Sequence, residues 1–352
     1  MDIVFKYDLT NDERKSISDF YNSLPFVTME QNLLWVELSD KGKHCFFWAI
    51  ENREIVCAAI IKESKKAIFN YAEIEFGPLF KDSDMLIESV KAIHDYYKKK
   101  SFTFLSAQLA HPTGTLTDYI EYRLNKILQV KQQFDRDNWS SVIIDLSKDE
   151  NEIFKSFSKG HKSDIKKSLK NELTASAPKD NNEMNAFIDI FIRMQKERSL
   201  PVVENETRSF FNRVYDFLLK NRLGKILLVK DKEQKILGGV VLLCQGCTIR
   251  YFKGAADPAL RQIPILHLAL WEGIREAKKD GFKKFDLWGY NHFVDENDQV
   301  FYINRFKKGF GGDFIFYPKK MYFIFNGLLF FFYTKGLKIY KKYKTRKGKM
   351  PS

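Results

Sequence analysis

Cysteine is scarce in this chain. The four cysteines at 45, 57, 244 and 247 are too few and too scattered among 352 residues for a disulfide framework. Cys45 and Cys57 sit in apolar, strand-like runs. Cys244 and Cys247 form a C-x-x-C, but Gln245-Gly246 between VVLLC and CTIRYF reads as a hairpin turn. No second Cys/His pair lies near in sequence to complete a zinc site, so no metal is expected. The first residues, MDIVFKYDLTNDERK, lack the apolar stretch of a signal peptide. With reduced thiols, that points to the cytoplasm. A bilayer-spanning segment is missing as well: MYFIFNGLLFFFY (321–333) is a 13-residue run interrupted by Asn326 and Gly327, and a span needs about 20 residues. Acidic residues are absent from Lys319 onward, where there are ten Lys or Arg. The formal charge is +13, so the preceding 318 residues hold 48 basic and 45 acidic groups, a net +3. The body is nearly neutral and the tail is basic.

What is there is globular: 44% apolar, 29% charged, rich in Phe (32) and Tyr (16), and long enough for two domains. Two αβ passages follow one another. In the first, residues 11–23 read as a helix with Thr10 or Asn11 as N-cap. FFWAI (46–50) and VCAAIIK (56–62) read as strands around a turn at 51–54, and 67–80 as a strand stopped by Gly77-Pro78. Residues 83–100 form an amphipathic helix, 102–110 a strand and 115–129 another helix. The strand at 139–145 closes this passage, and Ser147 to Glu150 cap a helix at 150–157. In the second, helices at 183–198 and 207–221 precede strands at 225–231, 235–244 and 247–257, a helix at 264–280 and a strand at 282–289. Gly238-Gly239 marks a hairpin or bulge feature. The polar stretch 174–183 reads as a loop inside this half. The expected domains are 1–148, 149–318 and a tail, 319–352, on a mixed α/β plan.

Several blocks together resemble the Fem-type aminoacyltransferases, which build peptidoglycan cross-bridges. YAEIEFGPL (71–79) is similar to that family's strand ending in Arg-Gly-Pro, with Phe76 in place of the arginine. SKGHKSDIKKSLK (158–170) is similar to its H-R-x-x-I-R-K-A helix, with lysines for arginines. YFKGAAD (251–257), a helix and GFKKFDLWG (281–289) resemble Y-x-G-A, helix, G-x-x-x-x-D-F-x-G, and Arg305 to Gly312 resembles F-K-x-x-F-G-G. The matches spread over 45–318. Two departures stand out. Trp35 is followed by Val36 and Glu37, so the lysine that some members use there for a nucleotide-linked precursor is missing, and no long helical arm interrupts the second half. The resemblance implies two tandem GNAT-like (acyl-CoA N-acyltransferase-like) domains and transfer of an amino acid from aminoacyl-tRNA to an amine of a lipid-linked peptidoglycan precursor.

Aminolysis of an ester needs a neutral amine and stabilisation of a tetrahedral oxyanion. Lys307, after Phe306 and beside Gly309, Gly311 and Gly312, falls on the family's catalytic lysine. An ammonium held by packing acts more strongly on developing charge than one in water; the bland alternative is a solvated surface lysine. The glycines could let backbone approach a ligand or form a plain turn. Tyr251, Lys253, Asp286, Trp288, Asn304 and Phe306 are the expected cleft. The resemblance implies that the substrate itself carries the proton, so no dedicated base is expected; His161 and His292 could titrate near neutrality. Lys162, Lys166 and Lys170, at i, i+4 and i+8, form a stripe beside His161 and Lys167 that could meet tRNA phosphates or be a solvated face. The place of a CoA phosphate loop, 257–264 (DPALRQIP), has no glycine and two prolines. CoA is therefore disfavoured, and aminoacyl-tRNA is expected as co-substrate with no cofactor. An apolar segment beside a polybasic one within 321–349 reads as an interfacial anchor on an anionic membrane, each basic residue worth about 1 kcal/mol, or else as a packed segment with a solvated end. The other open readings are an N-acyltransferase acting on an amino sugar or small amine in surface-polysaccharide synthesis, and a non-catalytic membrane or RNA-binding adaptor.

Overall fold

The chain contains fifteen strands and eleven α-helices among the residues that the computed structural model describes: 1–24, 27–39, 42–133 and 140–336. In chain order they are β1 (Asp2–Lys6), α1 (Asn11–Asn22), α2 (Leu33–Ser39), β2 (Lys43–Glu51), β3 (Glu54–Lys66), β4 (Phe69–Ile74), β5 (Leu79–Phe80), α3 (Ser83–Lys99), β6 (Phe104–Ala107), α4 (Thr115–Ile127), β7 (Val130–Gln133) and β8 (Ser140–Asp145). Then follow α5 (Glu150–Ser156), α6 (Lys159–Lys170), β9 (Thr174–Ser176), α7 (Asn181–Glu197), α8 (Glu204–Asn221), β10 (Gly224–Lys230), β11 (Ile236–Gln245) and β12 (Thr248–Ala256). Last come α9 (Ile265–Lys279), β13 (Lys284–Asp286), α10 (Gln299–Gly309), β14 (Asp313–Phe316) and β15 (Lys320–Ile324). Residues 327–336 are helical.

Local chemistry sets the ends. Thr10 caps α1 in a capping box with Glu13, and Asp149 caps α5 in one with Glu152. Asp82 and Asp180 accept backbone N–H groups at the starts of α3 and α7, a device worth about 1 kcal/mol each. At the β11–β12 hairpin Gly246 takes φ +55, which favours glycine. Gly238 lies at a register irregularity opposite Val229, where a Cβ would meet Ala255 O at 2.4 Å.

The strands form two sheets. One runs β1-β2-β3-β4-β6-β15-β7, with β5 on β3, and only β4 and β6 are parallel. It buries Phe47, Ile61, Ile74, Leu105 and Phe323 against Leu86, Ile93 and Tyr97 of α3. The other runs β14-β8-β13-β12-β11-β10-β9, with β12 and β13 parallel. Its core joins Ile144, Leu227, Leu242, Ile249 and Phe285 to Leu268 and Trp271 of α9 and to Phe310.

The chain divides into two units, Met1–Asp135 with Phe316–Ser352, and Arg136–Ile315. This corrects two expectations. The strand at 140–145 does not close the first passage; it pairs with β13 in the second sheet. The segment at 320–324 does not belong to a tail: Met321 and Phe323 are 1% and 0% exposed, and β15 pairs with β6 and β7. A strand cannot announce its partner from local pattern, because pairing partners lie far away in sequence. Lys307 lies on a helix, residues 299–309, started by Asp298. The polybasic residues 337–352 lie outside the described residues.

Candidate active site

Asp286 ends β13 and is 2% exposed. Its carboxylate accepts from Arg250 Nε on β12 at 3.1 Å, from Ser141 Oγ on β8, and from Trp288 N at 2.7 Å. A buried carboxylate needs such partners, since an unpaired one costs several kcal/mol. The Arg250 guanidinium also lies 3.7 Å from the centroid of the Trp288 ring, a cation–π contact strengthened by burial. Together they hold Trp288 at φ +47, ahead of Gly289 at φ +58. A bulky residue is strained there. The turn presents two backbone carbonyls, and Lys307 Nζ donates to both, to Trp288 O and to Gly289 O at 2.8 Å.

Lys307 reaches this turn from the last stretch of α10. One turn earlier, Asn304 (4% exposed) accepts from Asn291 N at 3.2 Å and donates to Asn291 O. The i, i+3 spacing puts both side chains on one helix face. Asn304 ties down the loop, and Lys307 ties down the turn. Burial pushes the Lys307 ammonium down to about 8; the nearby Asp286 carboxylate opposes this and the Lys253 charge adds to it. At neutral pH the group stays protonated. An ammonium has three N–H donors, and two are committed to carbonyls.

The other side of α10 meets α6. His161 Nε2 donates to Phe306 O at 2.8 Å, and its Nδ1 lies 3.1 Å from Ser158 Oγ. The ring sits on Gly309, where a Cβ would come within 2.0 Å of it. His267, on α9, packs edge-on against His161 with centroids 4.5 Å apart, and its Nε2 is 3.4 Å from Asp164 Oδ2. Burial lowers both imidazoles; the His161 charge lowers His267 further, to about 4, against the pull of Asp164. Both rings are therefore neutral at pH 7.

Phe306, His267 and Asp164 line a cavity of about 620 Å³, together with Arg198 and the stretch Asp257–Pro264. That stretch is a tight turn closed on itself. Asp257 Oδ1 accepts from Ala259 N, Asp257 O from Leu260 N, and Leu260 O from Ile263 N. Arg261 pairs with Glu197, and Lys167 Nζ donates to Gln262 O at 2.8 Å.

Residues 155–307 match a family described as acetyltransferase (GNAT) domain. Solved structures share the fold over most of the chain. The crystal structure of FemX is 16% identical, with a TM-score of 0.78, over 94% of this chain and 99% of that one. L-PGS from Bacillus licheniformis is 10% identical, with a TM-score of 0.58, over 90% and 92%. A tandem GNAT protein from the clavulanic acid biosynthesis pathway is 8% identical, with a TM-score of 0.53, over 92% and 99%. No curated protein matches the sequence.

Within the matched segment the expected cleft residues separate. Lys307, Trp288, Asp286 and Asn304 meet around one turn, while Phe306 faces the cavity. Tyr251 is half-buried, its hydroxyl over Gly254, and burial pushes it up to about 12. Lys253 is exposed. His161 packs inside the domain. The cationic stripe is broken: Lys162 Nζ donates to Lys155 O at 3.0 Å, and Lys166 and Lys170 are exposed. His292 packs beside Tyr290 and Phe314. The glycines serve packing, with Gly311 against Ser156 O and Gly312 against Ile143 O. Sequence reasoning missed Arg250, Ser141 and His267. A charged residue inside the apolar strand TIRYF was the available signal for Arg250.

Proposed function

We propose that this chain is an aminoacyltransferase that moves an amino acid from aminoacyl-tRNA to an amine of a lipid-linked peptidoglycan precursor, at the inner face of the cytoplasmic membrane. The observation that carries the reading is the half-buried Lys307 ammonium, held by two carbonyls with its third N–H meeting no partner among the described residues. The acceptor amine attacks the ester carbonyl carbon and a C–N bond forms. The third N–H of Lys307 meets the oxyanion, and the C–O bond to the ribose breaks as that oxygen takes up the proton lost by the amine. Donors fixed before the reaction pay no reorganisation at the transition state.

The donor is argued from the 257–264 turn. The N–H groups of Ala259, Leu260 and Ile263 are used within the turn and that of Asp257 on Leu237 O, whereas a CoA pyrophosphate is bound by uncommitted N–H groups opening a helix. Phe306 and Arg198 on the cavity wall suit a stacked base and a phosphate. Exposed Lys166 and Lys170 are available to the acceptor stem, and Tyr251 and Lys253 to the acceptor substrate. Incubation with charged tRNA pools and lipid-linked precursor, followed by mass analysis, tests the reading. A mass gain of one aminoacyl residue that disappears with Lys307→Met supports it; equal transfer by that variant, folded, overturns it. The GNAT match favours a second reading, N-acylation of an amino sugar from acyl-CoA, which thiol release would reveal.

A further inference from the structure

The apolar run at 321–333 divides between two roles. Met321 and Phe323 are core residues of β15. In the helical residues 327–336, Phe330 (4% exposed) meets Phe104 and Tyr322, and Tyr333 meets Phe69, Tyr71 and Phe104 with centroids 5.0–5.7 Å apart. The opposite face is apolar too. Leu328, Phe331 and Phe332 are 67%, 48% and 53% exposed, and Lys335 Nζ lies 4.3 Å from the centre of the Phe331 ring. Positions 328, 331, 332 and 335 recur at i, i+3, i+4 and i+7, a single stripe. Through Phe69 the β3–β4 turn comes beside this helix, and there Ile68 is 68% exposed behind exposed Lys65 and Lys66.

We propose that this face, the 328/331/332/335 stripe with the β3–β4 turn, docks on an anionic lipid bilayer. Clustered exposed apolar side chains mark an interaction surface, and every charged residue at this one is basic. Residues 337–352 add seven Lys or Arg and no acid. A second copy of the chain would bring the same positive charge to the same face. Phe331 and Phe332 could stack on bases but Leu328 and Ile68 offer a polynucleotide nothing, whereas acyl chains accept all four and lipid phosphates accept the lysines. None of the described helices is long and apolar enough to cross a membrane, so the helix would lie in the interface. Docking requires nothing of the transfer chemistry.

The test is co-sedimentation of the full chain with vesicles of phosphatidylcholine alone or with one-third phosphatidylglycerol. Binding is expected on the anionic vesicles only, weakened by salt. The triple variant Leu328→Ser, Phe331→Ser, Phe332→Ser should lose at least tenfold in affinity, and Lys65→Ala with Lys66→Ala a few-fold. Should the triple variant misfold, Phe332→Trp replaces it: brominated lipid should quench the added indole fluorescence. Unchanged binding of the folded triple variant, equal binding to neutral vesicles, no added quenching in the Phe332→Trp variant, or a wild-type dimer that the triple variant converts to monomer would overturn the proposal.

Discussion

Strand for strand, β2-β3-β4-β6-β15-β7 of the first unit corresponds to β10-β11-β12-β13-β8-β14 of the second. Each has an antiparallel hairpin, one parallel pair, and then a strand inserted from elsewhere in the chain. At the last register position of the parallel pair the two differ. The first unit has Ile74 opposite Ala107; the second has Arg250 opposite Asp286. The helix that follows differs in the same sense. α4 buries Ile120 and Leu124, whereas α10 buries Asn304 and carries Lys307 onto the turn after β13. One scaffold thus appears twice, once closed with apolar contacts and once with an ion pair that holds a strained turn. Buried ion pairs are poor stabilisers compared with packed apolar groups, so the polar version fits a site better than a core.

The largest expected effect comes from removing what the first unit lacks. Lys307→Met should lower transfer by about 10²–10³-fold, the range for one lost oxyanion donor, with circular dichroism unchanged. Next, Arg250→Met strands the Asp286 carboxylate and should cost about 3–5 kcal/mol in denaturant unfolding. The double change Arg250→Ile with Asp286→Ala copies the first unit; it should recover most of that stability and leave transfer impaired, because the Trp288 turn has lost its clamp. If the double variant transfers at the wild-type rate, the ion pair does not position Lys307. Gly309→Ala drives a methyl into the His161 ring and should cost about 1–3 kcal/mol; Gly114→Ala, at the start of α4 where a Cβ meets nothing within 4 Å, should cost far less.

Two pH effects are the smallest. The Lys307 ammonium is needed charged and its pKa is lowered to about 8, so transfer should decline as pH rises through that value. Lys253→Gln removes a charge that lowers it and should move the decline upward. His161 and His267 are lowered by burial, so below the unfolded value near 6.5 the unfolded chain binds more protons. Stability should therefore fall between about pH 6.5 and 4, and His267→Asn should flatten that loss in thermal melts.

Legibility followed the range of the causes. Helices α1, α3, α5 and α7 were readable because their caps and apolar stripes are local, and α9 from its apolar stripe alone. The hairpins β2–β3 and β10–β11 were readable from alternation and turn residues. α10 was not, since its burial inverts the usual pattern: Asn304 is buried in DQVFYINRF while Tyr302 and Ile303 are 62% and 38% exposed. Lys307 itself was singled out through family resemblance, and Phe306 with it. The Arg250–Asp286 pair joins residues 36 apart, and no pattern within either strand announces the other.

The sequence by itself determined the mixed α/β composition, the hairpins and their turns, the glycine-free 257–264 stretch and the concentration of positive charge after Lys319. These follow from residue type and spacing. Tertiary structure alone decided that β8 serves the second sheet and β15 the first. It split the 321–333 run into a core strand and a surface helix, and placed Lys307 under two carbonyls. Each of those outcomes depends on a partner supplied from far along the chain, and only folding brings such partners within contact distance.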